Sequence, residues 1–404
     1  MMKKFPLQGC RVVDFGWVWA GTVLGHILAD YGAETIKVES RRRLDGLRLG
    51  RVFELGTALE VNPTFHNLNR NKLSITVDMQ QPKGVELLKE LIARSDIVVE
   101  NFTPDVMKKR GLDYDSLVKV KPDLIMISMR AAGNYGSLAH IVTYAPVISA
   151  LSGIDSMVGY TDERPLGFKH AYADPTASLF GAFAALAALR YRKRTGKGQY
   201  IDLSQWEATT GLIGEAVMDY AMNRRVYRPL GNRHPAMAPH GNYPCKENDT
   251  WVAIAVKTEE EWSGLCRAME APDLATDGRF TDRYKRLKNI MALDKSISEW
   301  TSKHTDYEAA HILQKHGVAA TPLLTTDRIF ADPHFNKRQT FVQVDHPVTG
   351  AEVIYDLPWR FSKGPRKKFR HAPLLGEHND YVFGKILGLS QEEISNLAKE
   401  EVIY

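Results

Sequence analysis

The feature that most narrows the fold is a regular alternation of short apolar runs with helix-period segments between Arg11 and Ile127. Arg11-Val12-Val13-Asp14-Phe15 lies between Gly9 and Gly16 and reads as a buried strand. Gly21 to Tyr31 follows with Leu24, Ile27, Leu28 and Tyr31 at helical spacing, and Gly32 marks its stop. Glu34-Thr35-Ile36-Lys37-Val38, Leu73-Ser74-Ile75-Thr76-Val77, Ile97-Val98-Val99 and Leu124-Ile125-Met126-Ile127 are further strands. Between them, Lys83 to Ala93 carries Leu87, Leu88, Leu91 and Ile92 on one helical face. Strands alternating with helices predict an α/β fold whose large domain is a Rossmann-like parallel sheet covered on both sides.

The pattern then changes. Tyr200 to Leu203 is one more strand, and Trp206 to Asn223 reads as one long helix. A loop rich in Pro, His and Gly runs from Leu230 to Pro244, followed by a strand at Trp251–Val256, a helix at Glu259–Met269 and helical stretches to Gln314. Pro-punctuated strands and turns begin at Thr321, and a helix near Gln391 to Ala398 closes the chain. The expected organisation is a large domain from residues 1–205 and 322–404, a linker helix at 206–224 and a smaller α+β domain at 225–321. A chain of 404 residues suits two domains.

Composition excludes several classes. No apolar stretch reaches the ~20 residues of a membrane span, so no membrane partner is expected. The N-terminal Lys3 and Lys4 have no apolar segment behind them, unlike a signal peptide. The 3 cysteines, Cys10, Cys245 and Cys266, are too scattered for a metal knuckle or a disulfide framework. A reducing cytoplasm is the expected compartment. The net charge of +5 suits anionic small molecules and is too diffuse to imply nucleic acid.

Individual motifs are ambiguous. The first βα turn, Gly16-Trp17-Val18-Trp19-Ala20-Gly21, lacks G-x-G-x-x-G and puts two tryptophans where a pyrophosphate needs close backbone approach. Glu39 at the end of the second strand could otherwise have held a ribose hydroxyl. Arg41-Arg42-Arg43 with Arg48 and Arg51, and Lys108-Lys109-Arg110, follow strands and could meet phosphates or be solvated faces. Arg366-Lys367-Lys368 with Arg370 reads as a solvated run. No H-E-x-x-H metal spacing or G-x-S-x-G elbow is present, and no metal is expected. Asp174 opens Asp174-Pro175-Thr176-Ala177-Ser178 ahead of a small-residue run. It can be an N-cap with Pro175 at the first helical position, or a nucleophile whose anion the helix N-terminus stabilises. A carboxylate held in line attacks an activated acyl group such as a thioester without a general base.

Several ordered segments carry a resemblance. They are Pro6 to Asp14, Ala20-Gly21, Leu28 to Glu39, Asn69 to Ile75, Val99 to Phe102, Arg194 to Gln199 and Ala372 to His378. Through these the chain resembles the class III CoA-transferases over nearly its whole length. The resemblance implies an interlaced dimer, with no tightly bound cofactor and a coenzyme A thioester as substrate. It places the family's nucleophilic aspartate on Asp174. It places coenzyme A contacts on Val18, Trp19, Ala20, Arg41, Leu73, Asn101, Phe102 and Lys109, and an aromatic residue near the catalytic centre on Tyr144. The implied reaction moves CoA from an acyl-CoA donor, such as succinyl-CoA, to a free carboxylic acid through a covalent aspartyl intermediate. The acceptor is aromatic or dicarboxylic, the aromatic choice resting on Trp17 and Trp19, which suit a larger, flatter acid; the partner chain is a second copy or a paralogous subunit. Two departures stand out: Ile141-Val142-Thr143 has no basic residue before Tyr144, and no glycine-rich lid is present near His234 to Asn242. An α-methylacyl-CoA racemase-like enzyme and a non-catalytic subunit are the alternatives. The racemase reading lacks its His–Asp pair before Tyr144.

Overall fold

The computed structural model describes residues 4–49, 59–365 and 369–404. Arg51 and Arg366 to Lys368 lie outside the described residues. The chain divides into two compact units: residues 1–155, 167–226 and 337–404 form the first, and residues 156–166 with 227–336 the second.

The first unit is built on a six-stranded sheet of β1 (Arg11–Asp14), β2 (Glu34–Glu39), β3 (Leu73–Thr76), β4 (Ile97–Glu100), β5 (Ile125–Arg130) and β6 (Gln199–Ser204). The spatial order is β3-β2-β1-β4-β5-β6 and every pairing is parallel. This is the doubly wound, Rossmann-like order expected from the alternation. Helices cover both faces, which is why the strands read as continuous apolar runs. On one side, Val12, Val99, Ile127 and Leu203 pack with the Ala20–Asp30 and Ala173–Thr195 helices. On the other, Val13, Ile75, Val98 and Met126 pack with the Pro82–Ala93 helix and with Val382, Phe383 and Ile403.

The Ala173–Thr195 helix buries its small residues Ala177, Ser178, Gly181, Ala182, Ala185 and Ala188. Those residues let it approach the Ala20–Asp30 helix closely: a Cβ at Gly181 would sit 3.1 Å from Leu24 Cδ2. Its other face exposes Leu179, Phe180, Phe183, Leu186 and Tyr191. Past β6 the long helix expected at Trp206–Asn223 is broken into Gln205–Thr210, a 3₁₀ turn at Gly211–Ile213 and Gly214–Asn223. Gly211 and Gly214 mark the break, as residues that cost a helix about 1 kcal/mol each.

The C-terminal part seals the sheet edge at β3. Ser74 exchanges backbone contacts with the 376–378 turn, and Thr76 N–H donates to Asn379 Oδ1 at 3.0 Å. A hairpin of Phe341–His346 and Gly350–Tyr355 is fastened to the Pro63–Asn69 helix by His66 Nδ1 and Glu352 Oε1 at 2.7 Å, with the His66 and His346 rings stacked at 4.0 Å. The second unit has its own three-stranded antiparallel sheet, His240–Pro244, Trp251–Ala255 and Ala319–Pro322, and a separate core around Trp262, Leu265, Leu293 and Leu313. No helix among the described residues is long and apolar enough to cross a membrane.

Candidate active site

The order reversal of the doubly wound sheet falls between β1 and β4, and ligands of such folds bind beyond the strand ends at that point. Two turns meet there. Phe15 N–H reaches Val99 O at 2.9 Å, and past that point Trp17 N–H donates to Asn101 Oδ1 at 2.8 Å while Asn101 Nδ2 donates to Trp17 O at 2.9 Å. Trp17 and Phe102 then meet edge to face with centroids 5.9 Å apart. Val18, Trp19 and Ala20 continue this turn into the Ala20–Asp30 helix, with Val18 and Trp19 half-buried against the core.

The turn's backbone is bonded by charged side chains. Gly16 N–H donates to Asp14 Oδ1 at 2.7 Å, and Lys37 Nζ donates to Gly16 O at 2.8 Å. Val18 N–H donates to the Asp45 carboxylate at 3.2 and 3.3 Å. The amides that would receive a pyrophosphate in a dinucleotide fold are thus already occupied. Glu39 cannot hold a ribose either, since both its oxygens receive the buried Arg48 guanidinium, at 2.7 to 3.2 Å. Arg48 therefore leaves the set of basic residues open to phosphate.

The other basic candidates lie at the surface. Arg41 is exposed and its guanidinium lies over the Tyr404 ring at 5.7 Å. Arg42 pairs with Glu401 at 3.0 Å and Asp78 at 3.4 Å. Arg43 is the one that reaches the turn, lying 4.8 Å over the Trp17 ring. Lys109 is exposed at the end of the short Val106–Lys109 helix. Leu73 stands apart: it is buried at the start of β3 and lines a different hollow of about 420 Å³ with Phe5, Glu34 and Tyr381.

Asp174 is brought to the turn by helix packing. Ser178 Oγ lies 2.7 Å from both Ala20 O and Asp174 O, tying the first turn of the Ala173–Thr195 helix to the start of the Ala20–Asp30 helix. Ala173 packs with Ala145 and Ile148, so the helix that begins after Tyr144 flanks the same end. Tyr144 itself is exposed.

The N-cap reading of Asp174 is corrected by the structure. Tyr172 occupies the cap, the helix starts at Ala173, and Asp174 is inside the first turn, with Pro175 behind it instead of at the first position. The expectation that the helix N-terminus stabilises the Asp174 anion is corrected too. Burial alone pushes Asp174 up, to about 7, and no ion pair or hydrogen bond to its side chain exists among the described residues to oppose this. Loss of water outweighs the helix N-terminus here, because the macrodipole contributes only about 0.3–1 kcal/mol against the 1.36 kcal/mol of each pKa unit.

Sequence reasoning missed Lys37 and Asp45. The signal available for Lys37 was a lysine between Ile36 and Val38 in a strand buried on both faces. A lysine in such a run needs a partner, and Asp45 supplies it at 2.9 Å.

The reversal point of the sheet and the Asp174 helix end therefore meet through the Ala20–Asp30 helix. Comparison with known proteins names the class: the chain belongs to CoA-transferase family III, which matches it over residues 7–379. It is 33% identical over 399 residues to the succinyl-CoA–D-citramalate CoA-transferase of Chloroflexus aurantiacus, covering 98% of each chain. It is 33% identical over 401 residues to the beta subunit of the succinyl-CoA–L-malate CoA-transferase of the same organism, again covering 98% of each. Among solved structures, a CaiB/BaiF family protein from Brucella suis superposes with a TM-score of 0.86 at 32% identity, over 95% of this chain and 100% of the other. The chain is therefore a CoA-transferase enzyme, acting on CoA thioesters and acids.

Proposed function

We propose that this enzyme moves CoA from succinyl-CoA to a dicarboxylic acid by way of Asp174. The observation that carries the reading is the Asp174 carboxylate, mostly buried and with no polar partner among the described residues, at the helix end that Ser178 ties to the Ala20 turn. A desolvated carboxylate is a stronger nucleophile than a hydrated one, and at pH near its pKa a large share is ionised.

The steps balance as follows. The Asp174 carboxylate attacks the thioester carbonyl, and the C–S bond breaks to give a mixed anhydride and CoA thiolate. The thiolate attacks the aspartyl carbonyl, releasing the donor acid and leaving an aspartyl–CoA thioester. The acceptor carboxylate attacks that thioester, expelling the thiolate and forming a second anhydride. The thiolate then takes the acceptor's acyl carbon, and Asp174 returns as a carboxylate. Proton transfer is not required at any step, which suits a site whose nucleophile has no base beside it.

Succinyl-CoA as donor and a dicarboxylate as acceptor are supported by the relatives that act on D-citramalate, L-malate and, in Agrobacterium fabrum, glutarate. The aromatic acceptor loses the support it drew from the tryptophans, since Trp17 is engaged by Phe102 and Arg43 and Trp19 packs on the core. The exposed apolar face of the Ala173–Thr195 helix, with Val217, Met218, Tyr220 and Met222 exposed on the Gly214–Asn223 helix, fits burial against a second copy or a paralogous chain.

The test is thioester exchange from succinyl-CoA to a panel of dicarboxylic and aromatic acids. Dicarboxyl-CoA formation is expected. Exchange only to aromatic acids overturns the acceptor class. Deuterium wash-in next to the thioester carbonyl without exchange would establish the racemase-like alternative.

A further inference from the structure

The Gly16–Val18 turn is held in a conformation it would not adopt by itself. Val18 has φ of 57°, the left-handed region that a β-branched residue avoids at a cost of about 1–3 kcal/mol. Among the described residues, no backbone group bonds the turn at Gly16, at Trp17 or at Val18 N–H. Its partners are side chains from other elements: Asp14 on Gly16 N–H, Lys37 on Gly16 O, Asn101 on both backbone groups of Trp17, and Asp45 on Val18 N–H.

Lys37 and Asp45 are fully buried and joined at 2.9 Å. As a source of stability alone, such a pair is no better than two apolar side chains of the same volume. What an apolar pair could not do is bond Gly16 O and Val18 N–H at once. Asn101 adds two bonds beside this pair, its carbonyl oxygen on Trp17 N–H and its amide on Trp17 O. A Cβ at Gly21 would stand 3.1 Å from Asn101 Oδ1, so the helix start is fitted to this side chain.

We propose that Lys37 and Asp45 are positioning residues: without touching CoA, they clamp the strained Gly16–Val18 turn into the shape that seats it. This rests on the CoA-transferase site described above and adds to it residues that act through Gly16 and Val18. The clamp strains the free enzyme in advance, so that CoA meets a formed surface and the ordering cost is not charged to binding.

The test measures CoA affinity by calorimetry and steady-state constants with succinyl-CoA, on Asp45→Asn, Asp45→Glu and Asp45→Asn combined with Val18→Gly. Removing a bond to a buried group is expected to weaken CoA binding by about 10- to 100-fold. The rate at saturating succinyl-CoA should stay within about threefold, because the loss is in seating and not in chemistry. Val18→Gly should recover most of the affinity lost in Asp45→Asn, since glycine takes positive φ without support. Folded variants that bind CoA like the unaltered enzyme overturn the clamp, as does a double variant that regains thermal stability but not affinity. If Asp45→Asn does not fold, Asp45→Glu decides, because it keeps an anion beside Lys37 while moving the carboxylate from Val18 N–H. An unaltered enzyme that binds CoA but transfers none sinks the transfer reading alone, and the clamp is still read from the variants. One that binds no CoA overturns both.

Discussion

The two halves of the candidate site are made in opposite ways. At the β1 turn, the backbone groups of Gly16, Trp17 and Val18 are bonded by side chains, several of them ionised and fully buried. At the start of the Ala173–Thr195 helix, the Asp174 carboxylate has no such partner and its pKa is pushed up to about 7. Saturating a backbone with buried bonds fixes its shape, whereas denying a carboxylate any bond keeps its electrons available. The contrast suggests that rigidity is allotted to the part that binds and reactivity to the part that reacts.

The largest effect expected is at Asp174. Asp174→Ala should lower transfer by about a thousandfold or more, as for a nucleophile, while CoA still binds. Retained transfer in this variant would break the comparison at its reactive half. Next comes the bonded half. Lys72 Nζ bonds Asp14 Oδ2 at 2.7 Å with both groups buried, and burial draws the lysine down to about 8. Lys72→Met should cost about 3–5 kcal/mol in denaturant unfolding, because it removes the cation bonded to Asp14 and leaves only Lys37, beyond bonding distance, to offset the buried charge. A loss below about 1 kcal/mol would show that these buried pairs do not hold the turn.

The pH dependence sharpens the contrast further. Asp174 has a folded pKa above the unfolded carboxyl value of ~3.9, so the fold favours its protonated form. That contribution to stability is complete below pH ~4 and is lost as pH rises to about 7. Asp174→Asn should therefore melt above the unaltered enzyme at pH 8 and alongside it near pH 4. In the unaltered enzyme, kcat/KM should rise with pH through a midpoint of about 7, as the nucleophile ionises. The smallest effect is at the rim: Arg43→Ala removes the cation from the Trp17 face and should raise KM for succinyl-CoA about two- to fivefold.

Much of the frame was legible in the chain. Val12-Val13, Ile36 and Val38, and Ile97-Val98-Val99 read as strands because a parallel sheet covered on both faces leaves no polar side to interrupt them. The position of Asp174 before a small-residue helix was legible as well, but not its state. Desolvation depends on what the Ala145 and Ala20 helices place around it, and no local spacing encodes that. Val18 looked like an ordinary apolar residue, since positive φ leaves no mark on a valine. The stripe of Leu179, Phe180, Phe183 and Leu186 is exposed, because Ala177, Gly181 and Ala185 already fill the inward face. Glu39 and Arg48 each had a ligand role in prospect and satisfy one another.

The most direct measurement is chemical capture at Asp174. The enzyme is incubated with succinyl-CoA, quenched with hydroxylamine, digested and mapped by mass spectrometry. The account predicts a hydroxamate on the peptide carrying Asp174, dependent on the thioester and absent from Asp174→Ala. Continued transfer with that peptide unmodified, or with the label on another carboxylate, would contradict it.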